Sequence, residues 1–170
     1  MSTDDDDANP KRIWWAIGLG TIAQSVAFGS VLLGILSTQS DTPEAAGPAF
    51  ALGFVLVPAV CAMVAFISGQ ERAPLATLKG MGIWLIVSLP LSLINPVSGL
   101  CAGFTASGAI TLRRSDLART RLRAVAVVIS AAYVTVLMII VPQAGIFAGA
   151  VTPLLAVKAA DIFGERSATT

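Results

Sequence analysis

The side chains that could do chemistry inside this chain are few. Its 170 residues include no histidine, and the 10 acids and 11 bases read as lying at the termini or in short segments between long uncharged runs. The runs therefore lack the usual markers of proton relays, ion paths and intramembrane catalysis. A serine there would have no histidine or carboxylate to take its proton. A Ser–Lys pair would need Lys79 or Lys158 buried, whereas both sit near enough to a charged segment for their ammonium groups to reach water. Cys61 and Cys101 form no C-x-x-C pair and fall in different apolar runs, so they read as small buried apolar residues, neither a disulfide nor metal ligands. No metal, cofactor or enzymatic activity is expected.

What remains is neutral polarity and arginine. Gln24 carries an amide into the middle of the first apolar run. With four hydrogen-bonding positions to satisfy, it should not face lipid. It reads as interhelical glue or as part of a polar substrate path. The serines and threonines of the runs can bond back to their own helix at i−4 and need no partner. The segment "RRSDLARTRLR" places Arg113, Arg114, Arg119, Arg121 and Arg123 beside an apolar run. It is expected to fix orientation and to attract anionic lipid headgroups, at roughly 1 kcal/mol per basic residue. The acidic run Asp4 to Asp7 reads as a solvated tail. Nucleic-acid binding finds no support, because the bases are few, lack interleaved aromatics and are pinned beside apolar runs.

The elements that must position these residues follow from composition. Hydrophobic residues make up 55% of the chain and charged ones 12%, with a mean hydropathy of +0.81, against about 25% charged in soluble domains. A bilayer must be the solvent. Ile13 to Leu36 and Ala49 to Gly69 each suffice to cross it, and "STQSDTPEAAGP" links them. Met81 to Leu112 and Ala124 to Val157 run 32 and 34 residues without a charge, too long for one crossing of about 30 Å at 1.5 Å per residue. Asn95-Pro96 and Pro142-Gln143 interrupt them, and proline there marks helix boundaries. Splitting both runs puts all 11 bases on one side, with Asp41 and Glu44 on the other, as the positive-inside rule requires.

The expected fold is an all-α integral membrane bundle of six spans built as three helical hairpins. The spans are about 13–36, 49–69, 75–94, 96–112, 124–141 and 143–160, in a membrane domain 13–163. An acidic tail 1–12 and a short tail 164–170 flank it, both cytoplasmic in a multi-pass protein of the cell membrane. Pro58, Pro90 and Pro153 read as kinks within spans.

Small residues four apart recur and let helix backbones approach closely where lipid supplies no hydrophobic drive. The pairs are Ala23 with Ala27, Ser30 with Gly34, Ala49 with Gly53, Gly99 with Gly103, and Gly145 with Gly149. They read as packing within the chain; homo-oligomer contact and a glycine-lined ligand site are the alternatives. Six spans in 170 residues, with Ala23-x-x-x-Ala27 in the first, is similar to the substrate-binding subunits of energy-coupling-factor vitamin importers in size and in that one spacing. The resemblance implies a transport partner. The residues alone favour an accessory or assembly subunit acting through helix and lipid contacts, with a small transporter or channel for a neutral or hydrophobic solute as the alternative.

Overall fold

A computed structural model of the chain describes residues 10–40, 43–113 and 120–168. Its elements are α1 (Pro10–Ser37), a single 3-10 turn (Pro43–Ala45) leading into α2 (Ala46–Ile67), α3 (Ala73–Ser92), α4 (Pro96–Thr111), α5 (Thr120–Ile140) and α6 (Pro142–Ala168). No strand occurs among the described residues. Five helices are long and apolar enough to cross a membrane. The sixth, α4, has 16 residues, about 24 Å. The fold is an all-α helical membrane bundle, and the most extensive packing is within the successive pairs α1/α2, α3/α4 and α5/α6.

Proline sets several of these boundaries. Asn95 is extended (φ −148°, ψ 111°) ahead of Pro96, as a residue preceding proline prefers, and Pro96 and Pro142 open α4 and α6, where their missing N–H costs nothing. Both long uncharged runs are thus divided where proline interrupts them. Pro58, Pro90 and Pro153 lie inside α2, α3 and α6. Two boundaries differ from expectation. Helix α5 begins at Thr120, so Arg121 and Arg123 stand in its first turn. Helix α6 continues to Ala168, so residues from 161 onward extend the last helix.

Helix α4 is the centre of the molecule. It packs against all five other helices, which form an open ring in the order α3, α2, α1, α6, α5. Every residue from Val97 to Gly108 is buried. Ser98, Gly99, Cys101, Gly103, Ser107 and Gly108, spread around the helix, keep α4 thin enough for neighbours on all sides. Phe104 fills the middle, its ring 6.5 Å from that of Phe28 and 5.7 Å from that of Trp84. The outside is the most apolar surface: Ile22, Val55, Ile86, Val128, Ile139 and Phe147 are all exposed, as lipid contact requires.

Side-chain contacts gather the basic residues at one end. Arg12 at the start of α1 bonds to Ile67 O at the end of α2, and Gln70 beyond α2 bonds to Ile110 O near the end of α4. Arg123, opening α5, reaches the same end of α4. The three hairpin tips form the opposite end.

Candidate functional site

A 16-residue helix covers only about 24 Å of a hydrocarbon core about 30 Å thick, so partners within the protein are needed for its terminal backbone groups. At the N-terminus, Asn95 Oδ1 accepts from the N–H groups of Val97 (3.0 Å) and Ser98 (3.2 Å), and Gly99 N–H reaches Asn95 O at 2.9 Å. Pro96 has no N–H to satisfy. At the C-terminus, Arg123 Nη1 donates to Ala109 O (2.6 Å) and Leu112 O (3.0 Å), and Gln70 Nε2 donates to Ile110 O (3.1 Å). Ser68 Oγ stands 3.4 Å from Thr111 O and accepts from Arg113 N–H at 3.0 Å. Side chains from outside α4 therefore close its C-terminal end.

Arg123 does this from within an ion pair. Its Nε and Nη2 donate to Asp161 Oδ1 and Oδ2 at 2.7 and 2.6 Å, and the two side chains are 4% and 5% exposed. This is the bidentate fork that guanidinium and carboxylate planes favour. One side chain joins α4, α5 and α6. Here the structure corrects the sequence reading twice. Asp161 is neither terminal nor in a loop, and Arg123 is a buried clamp on α4, not a headgroup contact. The signal was a period. Arg123 continues the buried stripe Ala126, Ser130, Val134 of α5, and Asp161 continues Leu154 and Val157 of α6. A charge in register with a buried face is buried unless it ends the helix.

Above the clamp a polar seam follows one face of α4. Thr105 Oγ1 lies 3.0 Å from Ser130 Oγ, Thr135 Oγ1 donates to Ser98 Oγ at 2.8 Å, and Cys101 Sγ is 3.9 Å from Thr152 Oγ1. The Thr105, Ser130, Thr135 and Thr152 hydroxyls also lie within bonding distance of carbonyls on their own helices, the local role expected of them, and each shares its single proton between that carbonyl and the neighbouring helix. Gln24, 1% exposed, donates through Nε2 to Ala150 O at 2.8 Å, joined there by Ser25 Oγ at 3.3 Å. Ala150 neighbours Gly149, whose carbonyl loses its helical donor to Pro153. The amide ties α1 to α6 at the proline-interrupted turn. Thr21 Oγ1, Trp84 Nε1 and Ser92 Oγ are buried without a hydrogen-bond partner.

The small residues sit at contacts between the chain's own helices. A Cβ at Gly103 would stand 2.7 Å from Ser88 Cβ, one at Gly34 2.9 Å from the ring of Phe50, and one at Gly149 3.1 Å from Phe28. Gly53 faces Val31, Gly99 faces Ser92, and Gly145 faces Met138. Ala23 and Ala49 are half-buried, Ser30 is buried, and Ala27 is 0% exposed. Of the Ala23-x-x-x-Ala27 pair, Ala27 is therefore buried within the bundle and Ala23 packs at the edge of its core.

Among the arginines, Arg121 is exposed and Arg113 half-buried, with its Nη1 on Gly69 O at 3.2 Å. Arg114 and Arg119 lie outside the described residues, as does the Asp4 to Asp7 run. On the lateral surface a cleft of about 480 Å³ runs between α5 and α6, from Leu122 and Phe163 near the basic end to Tyr133 and Thr152, with Ala126 and Ala156 in its lining. Its lining is almost wholly apolar. Compared with protein-family models, curated proteins and solved structures, the chain matches none.

Proposed function

We propose that this chain is a non-catalytic integral membrane protein, an accessory or assembly subunit acting through its lateral helix faces and its lipid contacts. The basic end and both chain ends face the cytoplasm of a cell membrane. The observation that carries this reading is where the polar groups are directed. Gln24, Ser98, Thr105, Arg123, Ser130 and Asp161 are all turned inward, where they cap α4 or tie its neighbours together. The lateral surface is left apolar. Its α5–α6 cleft is a place where a companion helix could dock, since small residues in the lining admit close helix approach.

One observation favours a second reading, a carrier of a hydrophobic solute. The cleft's 480 Å³ falls within the range of about 300–1,000 Å³ typical of small-molecule sites, and Tyr133, 51% exposed, offers a phenol at one end. Ala156→Trp, which fills the cleft, separates the two. Extraction in mild detergent should recover the wild-type chain with a stoichiometric membrane-protein companion that the variant loses. A lone chain carrying a small apolar molecule, displaced by the same substitution, would instead establish the solute reading.

A further inference from the structure

We propose that Arg12 and Arg113 together form a binding site for the phosphate group of an anionic phospholipid at the basic end of the bundle. The proposal rests on the reading of that end as a membrane interface and is independent of any companion subunit.

The site is built by the way α2 stops. Gln70 N–H returns to Ala65 O at 3.0 Å and Gly69 N–H to Phe66 O at 3.2 Å, with Gly69 at φ 76°. This is the left-handed glycine ending that satisfies most of the helix's last carbonyls. Ile67 O and, just beyond the helix, Gly69 O each take an arginine: Arg12 Nε at 3.3 Å and Arg113 Nη1 at 3.2 Å. The two guanidinium groups consequently converge over one backbone atom. A methyl group on Gly69 would lie 3.4 Å from Arg113 Nη1 and 3.5 Å from Arg12 Cζ. The positive φ is what calls for glycine at 69, and both guanidinium groups border it at van der Waals distance.

Charge then points to the ligand. Two positive charges face a helix C-terminus equivalent to roughly half a negative charge, and the buried carboxylate of Asp161 is committed to Arg123. Two guanidinium groups side by side suit a phosphate. Each carbonyl bond occupies one of the five N–H donors of its guanidinium, leaving planar forks of the kind that grip phosphate oxygens bidentately. The depth fits as well. Trp14 and Trp15, 54% and 65% exposed, lie within a turn of Arg12, and exposed indoles mark the membrane–water boundary. Arg12 stands about 3–5 Å further out, at headgroup level.

The test uses the full chain in nanodiscs of phosphatidylcholine, alone or mixed with phosphatidylglycerol, with bound lipid read by native mass spectrometry after release. Wild type should retain phosphatidylglycerol. Arg12→Gln with Arg113→Gln should weaken retention about thirty-fold, from two basic residues at the interface, and the corresponding double lysine variant should recover much of it. Arg121→Gln, which removes one exposed basic charge elsewhere on the same end, should weaken retention by about five-fold at most, well short of the double variant. Should the double glutamine variant fail to elute as a single species, Arg12→Gln with Arg113→Lys carries the test, with a loss larger than that of Arg121→Gln. Equal retention by wild type and the glutamine variant, or an equal loss in Arg121→Gln, would overturn the site. Stabilisation of the detergent-solubilised chain by inorganic phosphate, with none from phosphatidylglycerol, would overturn the lipid assignment in favour of a soluble anion. Loss of the lipid with a companion still bound would leave the subunit reading intact.

Discussion

At the scale of single residues, the chain commits its few strong polar groups to backbone atoms that a bilayer would leave unpaired. Arg123 is the extreme case, holding Asp161 and two carbonyls of α4 at once. Breaking a buried ion pair from one side costs about 3–5 kcal/mol, and an orphaned buried carbonyl adds about 1–3 kcal/mol. Arg123→Met should therefore destabilise the bundle more than Asp161→Asn, which keeps the carbonyl bonds. Equilibrium unfolding in mixed micelles measures both, and the reverse order would show that the α4 cap contributes little. Gln24→Leu removes one interhelical bond and should cost about 0.6–2 kcal/mol in the same assay. The Gln24 contact could be anticipated because an amide in hydrocarbon demands a partner. The Arg123–Asp161 pair was obscured by the segment around it, whose five arginines read as a loop of equals until α5 starts early enough to turn one of them inward.

At the scale of elements, glycine divides the helices into contacts and open faces. Gly103→Ala would press a methyl against Ser88 and, at 3.2 Å, the carbonyl of Trp84. It should cost about 1–3 kcal/mol by prying α3 from α4. Gly29, in α1, offers open space to an added methyl, with no neighbour within 4 Å of it, so Gly29→Ala should stabilise by up to about 1 kcal/mol through helix propensity alone. Thermal unfolding of the two variants checks the contrast, and a matching sign for both would contradict the packing described. The spans and their division at Asn95-Pro96 and Val141-Pro142 were legible because length and proline act locally. The central position of α4 was not, since its hydropathy resembles that of its neighbours. The available clue was small residues on every side, Ser98, Gly99, Cys101, Gly103, Ser107 and Gly108, where a lipid-facing helix needs them on one.

At the scale of the molecule, five apolar helices wrap a short one whose C-terminal end is closed by its neighbours, and the wrapping draws Arg12, Arg113, Arg121 and Arg123 to one end. Orientation in the membrane then follows from those bases. The most direct measurement of this arrangement is the labelling of single cysteines in intact cells by an impermeant maleimide, in a background with Cys61 and Cys101, both buried, replaced by alanine. Cysteines at Gln39, Leu93 and Gln143, on the three hairpin tips, should react from outside. Cysteines at Arg72 and Arg121 should react only after the membrane is opened. Labelling of Arg121→Cys from outside while Arg72→Cys stays protected would place α3 and α4 in a single crossing and contradict the six-span bundle.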